Sequence, residues 1–405
     1  MADIGQTPRV AYSFPHSLGR PGIAETALQQ ILGLERAGVA LTVFCTSLGG
    51  VELPESIVVH QTMVFAGRRV PHRAIGVQRA YDFHDARVAR WLRANNERVD
   101  IVHAWPRGCL RTLQEAAVLH TSAVRESPNP HTASVMRASA AAAKHAGVSL
   151  PRNHSHAQDE RVLRKEIAEY DAATAVLVPS DYARQEFIAE GFDPSRLLQH
   201  RYGCDLVRFP ARLEAPLAEG TQPFRAVFVG RGDPTKGLHV ALDAWRRAAI
   251  ENGEFLVAGT ILPEYRRALV ADLESPGVRE LGFVTDIARI LAESDVLVLP
   301  SWTEGSALVT LEAQASGCVP LVSEASGPIG VAGVDHLEHR VGDVDALAAQ
   351  LASLAVDPQR VSEMSARGTR QRDFLSWDRA AEALVGCYRR AIEMKVASGP
   401  SQQDP

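Results

Sequence analysis

Short apolar runs alternate with longer stretches of helical periodicity along this 405-residue chain, and the rhythm is played through twice. "RVAYSF" (9–14), "ALTVFCT" (40–46), "DIVHAW" (100–105) and "TAVLVPS" (174–180) read as buried strands. "ETALQQILGLERAG" (25–38) lies between the first two, with apolar residues at helical spacing and Gly38 at its end. A second series follows: "FRAVFVG" (224–230), "EFLVAGT" (254–260), "VRELGFV" (278–284), "DVLVLP" (295–300) and "VPLVS" (319–323). Its helices are "LHVALDAWRRAAI" (238–250) and "ALVTLEAQAS" (307–316). Strands that alternate with helices imply parallel sheets covered on both faces. The expected architecture is therefore α/β, with two doubly wound Rossmann-like domains facing across a cleft. The first spans 1–209 and the second 224–376. The three prolines of 210–223 mark a linker. Residues 377–396 form a last helix, and 397–405 a disordered tail.

Composition narrows the partners. Hydrophobic residues make up 46% of the chain, enough for two cores, and the net charge of −5 argues against a general nucleic-acid binder. The five cysteines are scattered, with no C-x-x-C spacing, so neither a disulfide framework nor a zinc site is indicated. A reducing cytoplasm fits. The first ten residues lack a basic start followed by an apolar run, so no secretory leader is expected. No apolar segment approaches the roughly 20 residues of a spanning helix.

Ligands of open parallel sheets bind beyond the carboxyl ends of strands, and the informative residues stand there. "TEGSALVTLE" (303–312) follows the strand ending at Pro300 and carries Glu304 and Glu312. A helix from Ala307, with Ser306 as cap, would leave the amides of Ala307, Leu308 and Val309 without intrahelical partners, a ready anion site. Gly305 and Ser306 are small enough to admit a ligand to the backbone. Carboxylates beside a phosphate site make sense if they accept hydrogen bonds from hydroxyls, one from a ribose and the other from a second sugar. The plain alternative places Glu304 on the helix dipole and Glu312 in solvent. "FVGRGDPTKGL" (228–238) likewise follows a strand and opens a helix, offering Arg231 and Lys236 beside three glycines. It is not a Walker loop, because Gly-Lys-Ser/Thr is absent. Only four of the 43 basic residues are lysines, which makes Lys236 informative; a solvated basic turn is the alternative.

With these residues the chain resembles the retaining glycosyltransferases of family 4, which have the GT-B fold. "VGR" with "KG" looks like their donor-phosphate motif, and "EGSALVTLE" matches their E-x7-E motif. Residues 170–209 are similar to the end of their N-terminal domain, including a G-x-D-x-x-x-F signature at Gly203, Asp205 and Phe209. Residues 374–391 resemble their C-terminal helix, which crosses back onto the first domain. The resemblance implies that Arg231 and Lys236 hold a donor diphosphate and that Glu312 binds the nucleotide ribose. Glu304, with the backbone of Gly305, Ser306, Ala307 and Leu308, would hold donor-sugar hydroxyls and the distal phosphate. Phe283 and Val284 in "GFVTD" (282–286) would meet the base. Gly19 and Gly22 would bring the N-terminal loop to the phosphates, although in "GRPG" they are not adjacent as the family's glycines usually are. Where many members carry a histidine near the reacting carbon, this chain offers Glu126, His131 or His103, and the sequence does not choose among them.

The implied reaction moves a sugar from a nucleotide-diphosphate sugar, a co-substrate, to an unknown hydroxyl acceptor: a glycan, a lipid-linked molecule or a small molecule. It proceeds with retention, and with Arg231 and Lys236 on the leaving group no metal or other cofactor is required. "GDVD" (342–345) contains D-x-D, but it precedes a helix, so Asp343 reads as a cap. From Arg68 to Arg98 there are eight arginines, no lysines and three acids. A helix over 77–95, with Val77, Tyr81, Val88, Trp91 and Leu92 on one face, would suit weak peripheral contact with the inner face of a membrane, or simply a solvated surface. A nucleotide-sugar epimerase of the same fold and a non-catalytic donor-binding partner protein are the rival readings.

Overall fold

The computed structural model of the protein describes residues 7–70, 75–151, 154–212 and 223–397. Most of the expected linker and nearly all of the expected tail lie outside them. The strands run in chain order β1 (Arg9–Ser17), β2 (Ala40–Ser47), β3 (Val58–Gln61), β4 (Val64–Phe65), β5 (Arg68–Arg69), β6 (Ile101–Ala104), β7 (Ser122–Glu126), β8 (Ala175–Val178), β9 (Leu197–Gln199), β10 (Phe224–Val229), β11 (Gly253–Ala258), β12 (Val278–Gly282), β13 (Val296–Leu299), β14 (Val319–Ser323) and β15 (Leu337–His339). Among the described residues they form two parallel sheets, ordered β3-β2-β1-β6-β7-β8-β9 and β12-β11-β10-β13-β14-β15, plus the small antiparallel pair β4-β5. The fold is α/β with two doubly wound domains.

Each sheet reverses its winding once, between β1 and β6 and between β10 and β13. These reversal points are where an open α/β sheet leaves a crevice at its carboxyl edge. The loops after β10 and β13 carry the two charged motifs, and the topology sets Lys236 beside Glu304. Central strands are buried on both faces, which is why "AVFV" and "VLVL" read as unbroken apolar runs.

The helix Trp377–Ala397 packs on the helix Ile23–Arg36 of the first domain, as the resemblance implied. Arg36 pairs with Asp378, and the Tyr388 hydroxyl lies 2.7 Å from His103 Nδ1. Asp205 accepts hydrogen bonds from the amides of Val207 and Arg208, and Phe209 is buried, so the G-x-D-x-x-x-F signature is a turn anchored in the core.

The arginine-rich helix is Val77–Asn95, but its apolar face is already occupied. Tyr81, Val88 and Leu92 are buried, and Trp91 packs on Phe44 and His60. Only Val77 of the expected apolar stripe is exposed, so the stripe is not free to lie on a membrane. No helix among the described residues is long and apolar enough to cross one. Asp343 caps the helix Val344–Ala355, accepting from the amide of Ala346.

Candidate donor site and interdomain cleft

The helix after β13 is Leu308–Ser316. Its cap is Ala307, in extended conformation, with no side-chain cap. This corrects the expected start by one residue. The Ala307 amide is taken by the Ser326 carbonyl at 3.3 Å, leaving Leu308 and Val309 as the first open amides. Ser306 does not cap; its hydroxyl is buried with no hydrogen-bond partner among the described residues. An uncapped helix end and a buried hydroxyl are both groups that can donate to an anion or a polar ligand.

The loop after β10 carries two cations, Arg231 and Lys236. Gly237, at φ 72, lies so close to β13 that a Cβ there would meet the Pro300 carbonyl oxygen at 2.0 Å. The glycine thus seats the Lys236 turn directly on the Pro300–Glu304 loop. Lys236 Nζ pairs with Glu304 Oε1, which also accepts from the Ser301 hydroxyl at 3.0 Å. Arg231 donates through Nε (2.9 Å) and a terminal nitrogen (2.7 Å) to Asp233 Oδ2. Asp233 is buried and also accepts from the Thr235 amide at 2.9 Å. Burial alone would raise its carboxyl, but hydrogen bonds from His154, Thr235 and Arg231 hold it well below the usual carboxylate range.

Glu312 sits a turn inside the helix. Among the described residues it has no hydrogen-bond or ion-pair partner. Burial pushes its carboxyl up to about 7; Arg208 opposes the shift and Glu25 adds to it. Glu25 lies in the first turn of the helix Ile23–Arg36, whose N-cap is Gly22. The amide of Gly19 is bonded to the Leu48 carbonyl at 2.9 Å. Phe283 follows β12 with 76% of its surface exposed, and Val284 packs partly on the core beneath.

The first domain closes on this site. A Cβ on Gly305 would meet the Pro128 carbonyl oxygen at 1.9 Å, so only glycine lets the two loops touch. The Ser180 hydroxyl donates to the Gly305 carbonyl. His154 Nδ1 accepts from the amide of His156 at 3.2 Å. His154 Nε2 lies 3.8 Å from Asp233 Oδ2, and 3.1 Å from an Arg231 nitrogen. His145 meets His239 at 3.0 Å and packs on Trp302. Burial, with His145 alongside, pushes His239 down to about 3.

The three sequence candidates Glu126, His103 and His131 are all buried. Glu126 is 0% exposed and contacts His200 at 3.1 Å, Tyr202 at 2.9 Å and His103 at 3.3 Å. Burial would raise its carboxyl, but the charges and hydrogen bonds of His200 and His103 hold it well below the usual range. His103 is buried in the same network. His131 caps the helix Thr132–His145, accepting from the Ala133 amide, and packs between Tyr170 and Phe187. Sequence reasoning missed Asp233, His154 and His156. The carboxylate two residues after Arg231 and the H-x-H of "NHSHA" are the signals that could have found them. Among the described residues no three His, Cys, Asp or Glu cluster as a metal site.

Residues 223–357 match the family model described as "Glycosyl transferases group 1". Over that stretch the chain is similar to these glycosyltransferases. A D-inositol 3-phosphate glycosyltransferase of Rhodococcus erythropolis is 29% identical over 265 residues, 59% of this chain and 58% of its own. One from Mycobacterium bovis is 31% identical over 244 residues, 55% of this chain and 49% of its own. The chain thus spans about half the length of these curated relatives. The GT-B fold is shared with sucrose-phosphate synthase of Thermosynechococcus elongatus (TM-score 0.70, 18% identity, 96% of this chain and 100% of that one). It is shared too with Anabaena HepE in complex with UDP (TM-score 0.66, 16% identity, 94% and 99%).

Proposed function

We propose that this family 4-like protein transfers a sugar from a nucleoside-diphosphate sugar to an acceptor hydroxyl, with retention and without a metal or other cofactor. The observation that carries the reading is the Lys236–Glu304 pair, which joins the loop of Arg231 and Lys236 to the loop before the uncapped helix Leu308–Ser316, where the Ser306 hydroxyl has no partner among the described residues. Cations and fixed dipoles there face the position where a leaving diphosphate gains charge, the place where preorganised groups lower a barrier most. HepE was solved with UDP and with UDP-glucose, which supports a nucleotide-sugar donor. The curated relatives are named for a phosphorylated cyclitol, which supports a hydroxyl group as acceptor.

In this reading the acceptor approaches the same face of the donor sugar that the diphosphate leaves. The bond from the anomeric carbon to the acceptor oxygen forms as that to the phosphate oxygen breaks. The acceptor's proton passes to the departing phosphate, so no protein base is needed, consistent with the burial of Glu126, His103 and His131. Glu304 holds donor-sugar hydroxyls, Glu312 the ribose, and Phe283 with Val284 lies along the base; Gly19 and Gly22 line the N-terminal side. The test is a thermal-shift panel of UDP-, GDP- and ADP-sugars, followed by NMR of the product's anomeric signal. A ligand at 100 times its dissociation constant adds about 2.7 kcal/mol to native stability. No shift with any donor overturns the reading, an inverted product overturns retention, and a changed sugar released without acceptor indicates the epimerase.

A further inference from the structure

A cavity of about 780 Å³ opens between the helix Thr132–His145 and residues 148–150 and 156–158. Met136, Ala140, Ala143 and Lys144 line one wall. Their spacing of four, seven and eight residues places them on a single helical face. Leu150 and His156 line the other side. Met136, Ala140, Ala143 and Leu150 give it an apolar floor, and Lys144, Ser149, His156 and Gln158 add polar groups to the lining.

Its place in the molecule matters more than its size. The same helix packs against the turn Pro234–Lys236 of the donor loop. The rings of His156 and His154 are 5.6 Å apart, and His154 reaches Arg231. The charges of Asp233, Arg107 and Arg231 are all felt at His156. The cavity therefore adjoins the donor cations, on the first-domain side of the cleft. His156 Nδ1 is buried and has no hydrogen-bond partner among the described residues. Burial, with His154 close by, pushes its imidazole down to about 4, so it is neutral at physiological pH. A buried neutral imidazole without a partner beside the reaction site is suited to a hydroxyl.

We infer that this cavity is the acceptor subsite, and that it takes an alcohol whose hydroxyl is joined to an apolar group, with His156 on the polar end. The inference rests on the glycosyltransferase reading. A purely polar acceptor would leave the floor of Met136, Ala140, Ala143 and Leu150 in contact with water, whereas an alkyl or aryl group covers it. Transfer itself is unchanged: the acceptor oxygen takes the anomeric carbon and its proton leaves on the diphosphate.

The experiment compares octyl and methyl β-D-glucopyranoside, below the micelle concentration, by calorimetry on the full chain. Wild type is expected to bind the octyl compound at least tenfold more tightly than the methyl one. Ala140→Phe fills the floor and should abolish that preference, and Met136→Gln, which keeps the side-chain shape, should reduce it. UDP, GDP and ADP are titrated into the same proteins, and any diphosphate that binds should do so within twofold in all three. Equal affinity for the two glycosides in wild type, or an octyl preference that survives in both variants, overturns the inference. A wild type that binds no nucleoside diphosphate overturns the donor reading alone, and the glycoside comparison still decides the cavity. Should Ala140→Phe fail to fold, Met136→Gln decides it.

Discussion

Replacing Glu312 by glutamine should make the free protein more stable at pH 8 and the donor site worse. The ordinary glutamate value is 4.5, and burial raises this carboxyl to about 7. At about 1.36 kcal/mol per pH unit, the ionised form is disfavoured by about 3 kcal/mol in the free protein. The sign follows from linkage. Between about 4.5 and 7 the native state holds a proton that the unfolded chain releases. That stabilisation is complete below the unfolded value and is lost as pH rises through 7. Glu312→Gln removes the buried charge, so the variant should equal wild type near pH 5 and exceed it at pH 8 by up to about 3 kcal/mol. On the proposed reading ribose hydroxyls donate to the carboxylate, and a hydrogen bond to a charged group is worth about 1.5–3 kcal/mol. Diphosphate affinity should therefore be about tenfold weaker in the variant at pH 8, with the gap closing towards pH 5.5. The ligand's own phosphate ionisation is common to both proteins and cancels in the ratio. Calorimetry with the diphosphate across pH 5.5–8.5, beside thermal unfolding over the same range, reads both effects. A variant-to-wild-type ratio that does not change with pH, or a variant less stable than wild type at pH 8, refutes the reasoning.

Glu304→Gln should leave diphosphate affinity unchanged or slightly tighter, because Lys236 is freed, while turnover falls at least tenfold; impaired diphosphate binding equal to that of Glu312→Gln would refute the one-ring-each assignment. Transferase activity should survive EDTA, and a complete loss restored by Mg²⁺ or Mn²⁺ would defeat the metal-free reading. Asp233→Asn weakens the hold on Arg231 and should raise the donor KM several-fold at pH 7, checked by initial rates with donor varied. Arg125→Met strands Glu166 and Glu169 in the core and should destabilise the chain by about 3–5 kcal/mol, read by denaturant unfolding.

The fold was legible where a strand is buried on both faces. β10, β11, β13 and β14 are unbroken apolar runs, and the two site loops follow the strands that flank the reversal. Edge strands such as β3, β9 and β15 are short and half-buried, so no apolar run announces them. β7 was hidden for a different reason. It is central, but it carries Arg125 and Glu126, whose charges are met inside the fold by Glu166, Glu169 and His200. Those partners stand 41, 44 and 74 residues away, beyond any local pattern. The same distance hid His154 from the donor site, because only the closing of two domains brings it to Asp233 and Arg231. Ser306 misled for a local reason. Serine is a favoured cap, yet the Ala307 amide finds the Ser326 carbonyl and the serine is left without its role.

The two cations proposed to hold the donor are held in different ways, and the difference bears on how a donor would enter. Asp233 is buried and tied to Thr235 and His154, so it does not leave Arg231. A guanidinium has five N–H donors, and Asp233 occupies one edge of it; the side chain is still 52% exposed and can turn its other edge to a phosphate. Arg231 is thus preorganised. Lys236, 28% exposed, is paired with Glu304, the carboxylate proposed to hold the donor sugar. An intact donor replaces both halves of that pair together: phosphate takes Lys236 while sugar hydroxyls take Glu304. A free diphosphate takes Lys236 but leaves Glu304 with the Ser301 hydroxyl alone. Removing one partner of a half-buried pair is costlier than exchanging both. On the proposed reading, the resting ion pair therefore favours the intact donor over the spent diphosphate, and so favours product release after transfer.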